Sequence, residues 1–277
     1  VLCVAVMLLK QDSSYRIVSG SADKTIKIWN PINHQVSDSK HISSSCTKIT
    51  NCDVTLFGHT EAVRCITVLP DNRIVSGSND QTIKIWNPKT AKCDITFTGH
   101  AWHVNCVALL ADGPSGCCFA AERIISSSTD NTFRIWNVQT GNCDNIFRNN
   151  GWLVLSIATF YDEYSRIEKI VSGSAGKKVN LWNYQTKSCD MTFRGRPISR
   201  RYRYSTYHSD RVVCVAILPD GRVVSGSHDC TIKIWNPRTG KCDSTFTGHD
   251  DIVNCVAAHS NGWIVSGSND STIKIWT

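Results

Sequence analysis

Apolar and polar positions alternate in short runs along the whole chain, and the runs stop at turn residues every few positions. Residues 253–259 (VNCVAAH) form one β-favouring run, followed by a polar turn. Then come IVSGS and TIKIW, separated by the tight Asn269-Asp270-Ser271 turn. In the preceding unit a Pro-x-Thr-Gly turn after the tryptophan leads into CDSTF at 242–246. Runs of this length, bounded by Gly, Asn, Asp and Pro, predict short β-strands joined as hairpins. No stretch sustains the 3.6-residue apolar period of an amphipathic helix, so the pattern predicts an all-β chain.

The runs recur as one larger unit. It appears as IVSGSADKTIKIWN (17–30), IVSGSNDQTIKIWN (74–87), IISSSTDNTFRIWN (124–137), IVSGSAGKKVNLWN (170–183), VVSGSHDCTIKIWN (223–236) and IVSGSNDSTIKIWT (264–277). A lone unit of three or four strands has two apolar faces and cannot stand alone. Stacking units radially buries both faces and leaves only short protected edges. The spacing predicts a single domain over 1–277, with blades near 1–57, 58–97, 98–147, 148–193, 208–246 and 247–277. Extra residues interrupt the repeat at 31–51, 111–122, 161–168 and 194–207.

A Gly-His dipeptide, then about 27 residues, then a tryptophan after Ser-x-Asp-x-Thr, resembles the WD-repeat family, and the resemblance covers essentially the whole chain. One departure is that Asn follows the tryptophan in five units and Thr in the sixth, where the family usually has Asp. The resemblance implies a β-propeller of six recognisable four-stranded blades. Because the chain opens within a first strand and stops after a third, the ring is expected to be incomplete within 1–277. A seven-bladed parent is favoured over six-fold closure, and both ends read as cut from something longer.

The resemblance also implies a hydrogen-bonded tetrad in each blade. The indole N–H donates, the Ser hydroxyl both donates and accepts, His bridges and Asp accepts. By position the second unit has His59, Ser76, Asp80 and Trp86, and the third has His100, Ser126, Asp130 and Trp136. The fifth has His208, Ser225, Asp229 and Trp235, and the sixth has His249, Ser266, Asp270 and Trp276. The first keeps Ser19, Asp23 and Trp29. The fourth keeps Ser172 and Trp182, but Asn149 and Asn150 stand where Gly and His belong and Gly176 replaces the turn Asp. A Ser/His/Asp set also suggests a hydrolase triad, but an active site would appear once, whereas this set recurs with a tryptophan attached. The chain is therefore expected not to be an enzyme and to need no cofactor, metal or small-molecule substrate.

Composition changes this picture little. Thirty basic against 23 acidic side chains leave +7, a mild preference for anionic partners. Most of the 14 cysteines belong to the repeat: Cys3, Cys65, Cys106, Cys214 and Cys255 in the first strand, Cys52, Cys93, Cys143, Cys189 and Cys242 opening the fourth. Cys46, Cys117, Cys118 and Cys230 fall outside that scheme. So many thiols without a CxxC imply a reducing compartment, cytoplasmic or nuclear. The apolar run at 1–9 lacks a basic leader and is too short to span a bilayer, so no membrane association is expected.

Departures from the repeat mark candidate surfaces. Trp102 and Trp152 occupy one position, two residues past the His slot, where other units have Glu61, Asp210 and Asp251. An aromatic there is either a partner hot spot or a side chain tucked against its neighbouring loop. The insertion at 194–207 interleaves Arg194, Arg196, Arg200, Arg201 and Arg203 with Tyr202, Tyr204 and Tyr207, on the face expected to carry Trp152, Lys177 and Lys178. Guanidinium forks and stacking faces suit RNA or an acidic peptide. The leading expectation is a scaffold or adaptor binding other proteins within a complex. The alternative is an RNA- or anion-binding subunit of a ribonucleoprotein, with RNA held through 194–207.

Overall fold

The computed structural model describes residues 1–8, 14–30, 52–110, 123–149, 151–193 and 207–277. Expectations that rest on 31–51, 111–122, Asn150 or 194–206 lie outside the described residues. They include Cys46, Cys117, Cys118, Arg194, Arg196, Arg200, Arg201, Tyr202, Arg203 and Tyr204.

Antiparallel hairpins build six blades, and no helix occurs among the described residues. The first contains β1 (Cys3–Leu8), β2 (Tyr15–Gly20), β3 (Ile26–Trp29) and β4 (Val54–Leu56). The second contains β5 (Val63–Val68), β6 (Ile74–Ser78), β7 (Ile83–Asn87) and β8 (Lys92–Phe97). The third contains β9 (Val104–Leu110), β10 (Arg123–Ser128), β11 (Thr132–Asn137) and β12 (Cys143–Arg148). The fourth contains β13 (Val154–Asp162), β14 (Ile167–Ser174), β15 (Val179–Asn183) and β16 (Ser188–Phe193). The fifth contains β17 (Val212–Ile217), β18 (Val223–Ser227), β19 (Thr231–Trp235) and β20 (Cys242–Thr247). The sixth has three strands, β21 (Val253–Ala258), β22 (Ile264–Ser268) and β23 (Ile273–Trp276). The chain divides into two compact units, Val1–Val107 and Ala108–Thr277.

Within the first unit, one face of blade 1 (Val18, Ile26, Ile28, Leu56) packs against Val63, Ile74 and Trp86 of blade 2. Burying each such side chain contributes about 1.5–3 kcal/mol. The SGS glycine makes this approach possible. A Cβ on Gly77 would stand 2.6 Å from Val104 Cγ1 and 2.6 Å from Cys65 Sγ, its ladder partner's sulfur. Glycine inside a strand here marks close contact with the next blade, and the first-strand cysteine fills the space opposite. Burial pushes the Cys3 thiol up to about 12 and the Cys65 thiol well above its usual range, as expected of inert packing groups.

The second unit repeats the packing. Val171, Val179, Leu181 and Phe193 of blade 4 meet Val212, Val223 and Trp235 of blade 5. Ile232 and Ile234 of blade 5 meet Val253 and Ile264 of blade 6. Identical segments differ in burial with what surrounds them. Ile83 and Ile85 of one TIKIW segment are fully buried, whereas Ile273 and Ile275 of the identical segment in blade 6 are 76% and 61% exposed.

Two local features add to the sequence reading. Residues 161–168 interrupt the repeat by lengthening a hairpin: Tyr161 pairs with Glu168 and Asp162 with Ile167, leaving only a four-residue turn. Cys230, outside the cysteine scheme, sits at the turn position just after the tetrad aspartate, with φ of 63°. Lys24, Gln81, Asn131, Lys177 and Ser271 hold the matching position in the other blades, all with left-handed backbone.

Candidate interaction surface

Complete tetrads brace one end of blades 2, 5 and 6. In blade 2, His59 Nε2 lies 2.7 Å from Ser76 Oγ, His59 Nδ1 lies 2.7 Å from Asp80 Oδ2, and Trp86 Nε1 donates to Ser76 Oγ at 2.8 Å. The carboxylate only accepts, so Nδ1 carries the proton and Nε2 accepts from the serine hydroxyl. Blades 5 and 6 repeat this through His208, Ser225, Asp229 and Trp235 and through His249, Ser266, Asp270 and Trp276. Burial alone would raise the Asp80 carboxyl. Hydrogen bonds from His59 and Thr82 outweigh it and hold the group well below the ordinary carboxylate range. Asp229 is depressed in the same way by His208 and Thr231, and burial lowers the pKa of His208 itself. In blade 3 Trp136 donates to Ser126, Thr132 donates to Asp130, and His100 is buried. In blade 1 Trp29 donates to Ser19, and Asp23 accepts from Thr25.

Two participants escaped the sequence reading. The threonine two residues past each aspartate donates to it at 2.6–2.7 Å in blades 2, 5 and 6, so the working set is Asp-x-Thr and not Asp alone. The repeated D-x-T was visible in the sequence. The asparagine after the tryptophan accepts two backbone N–H groups of the following turn, as Asn87 does from Lys89 and Thr90 and Asn236 from Arg238 and Thr239. Such an Asx turn needs only the side-chain carbonyl, which asparagine supplies as well as aspartate.

Blade 4 is built differently. Trp182 still donates to Ser172 at 2.9 Å. Asn149 is buried, accepts from Asn180 Nδ2 at 3.2 Å and donates to the Trp152 carbonyl at 3.0 Å. This fixes the backbone beneath Trp152, whose own N–H donates to the Asn149 carbonyl at 2.9 Å. The Trp152 indole lies on Gly176, where an added Cβ would come within 2.7 Å of the ring. The ring thus occupies the space a side chain at 176 would need, whereas blade 3 carries Trp102 at the matching position and keeps its turn aspartate, Asp130. Even so, Trp152 stays 52% exposed. Beside it Lys177 donates to the Ser209 carbonyl at 2.7 Å, and Lys178 is exposed. Trp102, in the first unit, is 60% exposed and meets His103 edge-on. Among the described residues no group of His, Cys, Asp or Glu side chains gathers to hold a metal, and no helix is long and apolar enough to cross a membrane.

Comparison with known proteins gives this architecture a family. A crystal structure of the WD40 beta propeller domain of Doa1 superposes with a TM-score of 0.73 at 21% identity, covering 95% of this chain and 75% of that one. The ribosome biogenesis protein WDR12 homolog of Aedes aegypti is 36% identical over 80 residues, 27% of this chain and 19% of that protein. The ribosome biogenesis protein YTM1 of Eremothecium gossypii is 35% identical over 74 residues, 27% of this chain and 13% of that protein. The chain therefore spans less than a fifth of the length of these curated relatives. The family model for the WD domain, G-beta repeat, matches residues 1–30, 50–87, 91–137, 201–236 and 240–277, and the chain belongs to the WD40 repeat family.

Proposed function

We propose that this chain is a non-catalytic scaffold or adaptor, working as a single propeller domain and holding partner proteins in a larger complex, with Trp152 as an anchor. The observation that carries the reading is the seating of Trp152 on Gly176. A large aromatic is half exposed, yet its backbone is held on both sides by Asn149. An exposed ring that is already ordered loses little freedom on binding, which is what a hot spot requires. The Ser/His/Asp sets support a structural role, because Ser76, Ser225 and Ser266 are buried and each already accepts from an indole. Fourteen cysteines without a CxxC motif fit the reducing cytoplasm or nucleus.

The test is affinity capture from cell extract with two variants. Trp152→Ala removes the ring. Gly176→Asp places a side chain in the ring's seat and displaces it. Both should fold and recover the main partners at least fivefold less well. Unchanged recovery with both variants would refute the anchor.

A second reading, an RNA-bound subunit, draws on the ribosome-biogenesis names of the two relatives and on the arginines and tyrosines of 194–207. Ribonuclease treatment before capture separates the two readings. Under the scaffold reading the recovered set persists, and under the RNA reading it collapses. Replacing Arg200, Arg201 and Arg203 with alanine should weaken capture of an RNA or an acidic partner held through 194–207, most visibly at low salt, so the ribonuclease step and not this variant decides between the readings.

A further inference from the structure

The lengthened hairpin of blade 4 lines a groove. Beyond the pair Thr159–Ile170, which matches Ile217–Val223 of blade 5, three further pairs continue the ladder: Phe160–Lys169, Tyr161–Glu168 and Asp162–Ile167. At about 3.4 Å per residue they carry the hairpin about 10 Å past its neighbour. Between this overhang and the 218–221 turn of blade 5 lies an open groove of about 1060 Å³. Its base is apolar, from Leu181, Met191 and Ile217, and one wall is aromatic, from Phe160, Tyr161 and Tyr164.

The charges in the groove oppose those of the chain. Asp162, Glu163, Asp190 and Asp220 face Lys169 and Arg238, and Arg222 pairs with Asp220 at 2.7 Å, so four carboxylates against three cations leave one negative charge, in a protein whose net charge is +7. Lys169 is taken up by Asp190 at 2.5 Å, and Arg238 lies over the Tyr164 ring at 5.3 Å. The ring therefore already holds a guanidinium on one face, a geometry that recognises cations. Phosphate-bearing ligands are disfavoured by the carboxylates.

We propose that this groove binds an extended segment of a partner protein that carries an arginine or lysine between apolar residues. The apolar neighbours cover Leu181, Met191 and Ile217, and the cation lies beside Tyr164 and Glu163 at the rim. This goes beyond the Trp152 reading. Trp152 precedes β13 and the groove lies at the other end of that strand, about 25 Å away by strand length.

The test uses the full 277-residue chain, immobilised, and three pools of nine-residue peptides, randomised except for a central Arg, Gln or Glu. The Arg pool should be retained at least fivefold more than the Glu pool, with Gln between and the difference shrinking at high salt. Tyr164 is 84% exposed and Glu163 is on the same turn, so Tyr164→Ala and Glu163→Lys should keep the fold. Each should reduce retention of the Arg pool at least threefold, whereas Trp152→Ala should leave it unchanged. Equal retention of the three pools, or Arg retention indifferent to both groove variants, overturns the proposal. So does displacement of the Arg pool by a uridine decamer in the wild type but not in Glu163→Lys, because it would assign the groove to RNA.

Discussion

Blades 2 and 4 share a fold and a serine–tryptophan bond, yet their exposed ends are put to different uses. In blade 2 His59, Asp80 and Thr82 close the end with side-chain bonds of 2.6–2.7 Å. In blade 4 the histidine's slot and the turn aspartate are gone, and two asparagines make longer bonds. The vacated turn seats Trp152. The difference teaches that the repeat separates two jobs. The Ser–Trp bond ties the two central strands of a blade and the Gly–Val contact packs blade on blade, while the His–Asp–Thr cluster is a local brace that blade 4 lacks.

The largest effect should come from the shared serine. Ser76→Ala strips a donor from His59 and an acceptor from Trp86, leaving two buried groups unpaired at a cost of about 2–4 kcal/mol. Ser172→Ala orphans only the Trp182 N–H, at a cost of about 1–2 kcal/mol. Denaturant titration of both variants checks this. Equal losses would mean that the brace contributes nothing beyond the indole bond.

A smaller effect follows from pH. Burial lowers the pKa of His208 below the ordinary value of 6.5, so on acidification the unfolded chain takes up this proton first. The stability from His208 is complete above pH 6.5 and is lost as pH falls through the lower, folded value. Asp229 is depressed further and stays charged throughout that window. Blade 4 has no such histidine among its described residues. Between pH 7 and 5, amide protection in β19 should fall more than in β15, and parallel behaviour would remove the histidine from the account.

The smallest effect concerns the left-handed turn residues. Gln81 (φ 71°) and Lys177 (φ 64°) occupy the same position in the two blades. Glycine relieves the Cβ conflict there, offset by unfolded-chain entropy, so Gln81→Gly should stabilise by about 0.5–1 kcal/mol. Lys177→Gly should gain less, because Lys177 also donates to the Ser209 carbonyl. Thermal melts rank the two.

Much of this was legible beforehand. The repeat of Trp, Ser and Asp spaced the blades, and the interval from His208 to Trp235, equal to that from His59 to Trp86, located a histidine that lacks its glycine. What was not legible depended on contacts between segments distant in sequence. Gly176 read as a lost aspartate because its meaning lies in the ring above it, 24 positions earlier in the chain. Residues 161–168 read as an inserted loop because only cross-strand pairing tells a longer hairpin from a longer turn. The burial of TIKIW, which recurs in four blades, was decided by the segments packed around it and by nothing within it.

Native-state hydrogen exchange tests the central claim, that blade 4, without the His–Asp–Thr brace, is held less tightly than blade 2. Amides of Ile83, Lys84 and Ile85 in blade 2 should exchange at least tenfold more slowly than those of Val179, Asn180 and Leu181 in blade 4, about 1.4 kcal/mol of local opening. Equal protection in the two strands would show that the asparagines replace the brace in full, and the claim would fail.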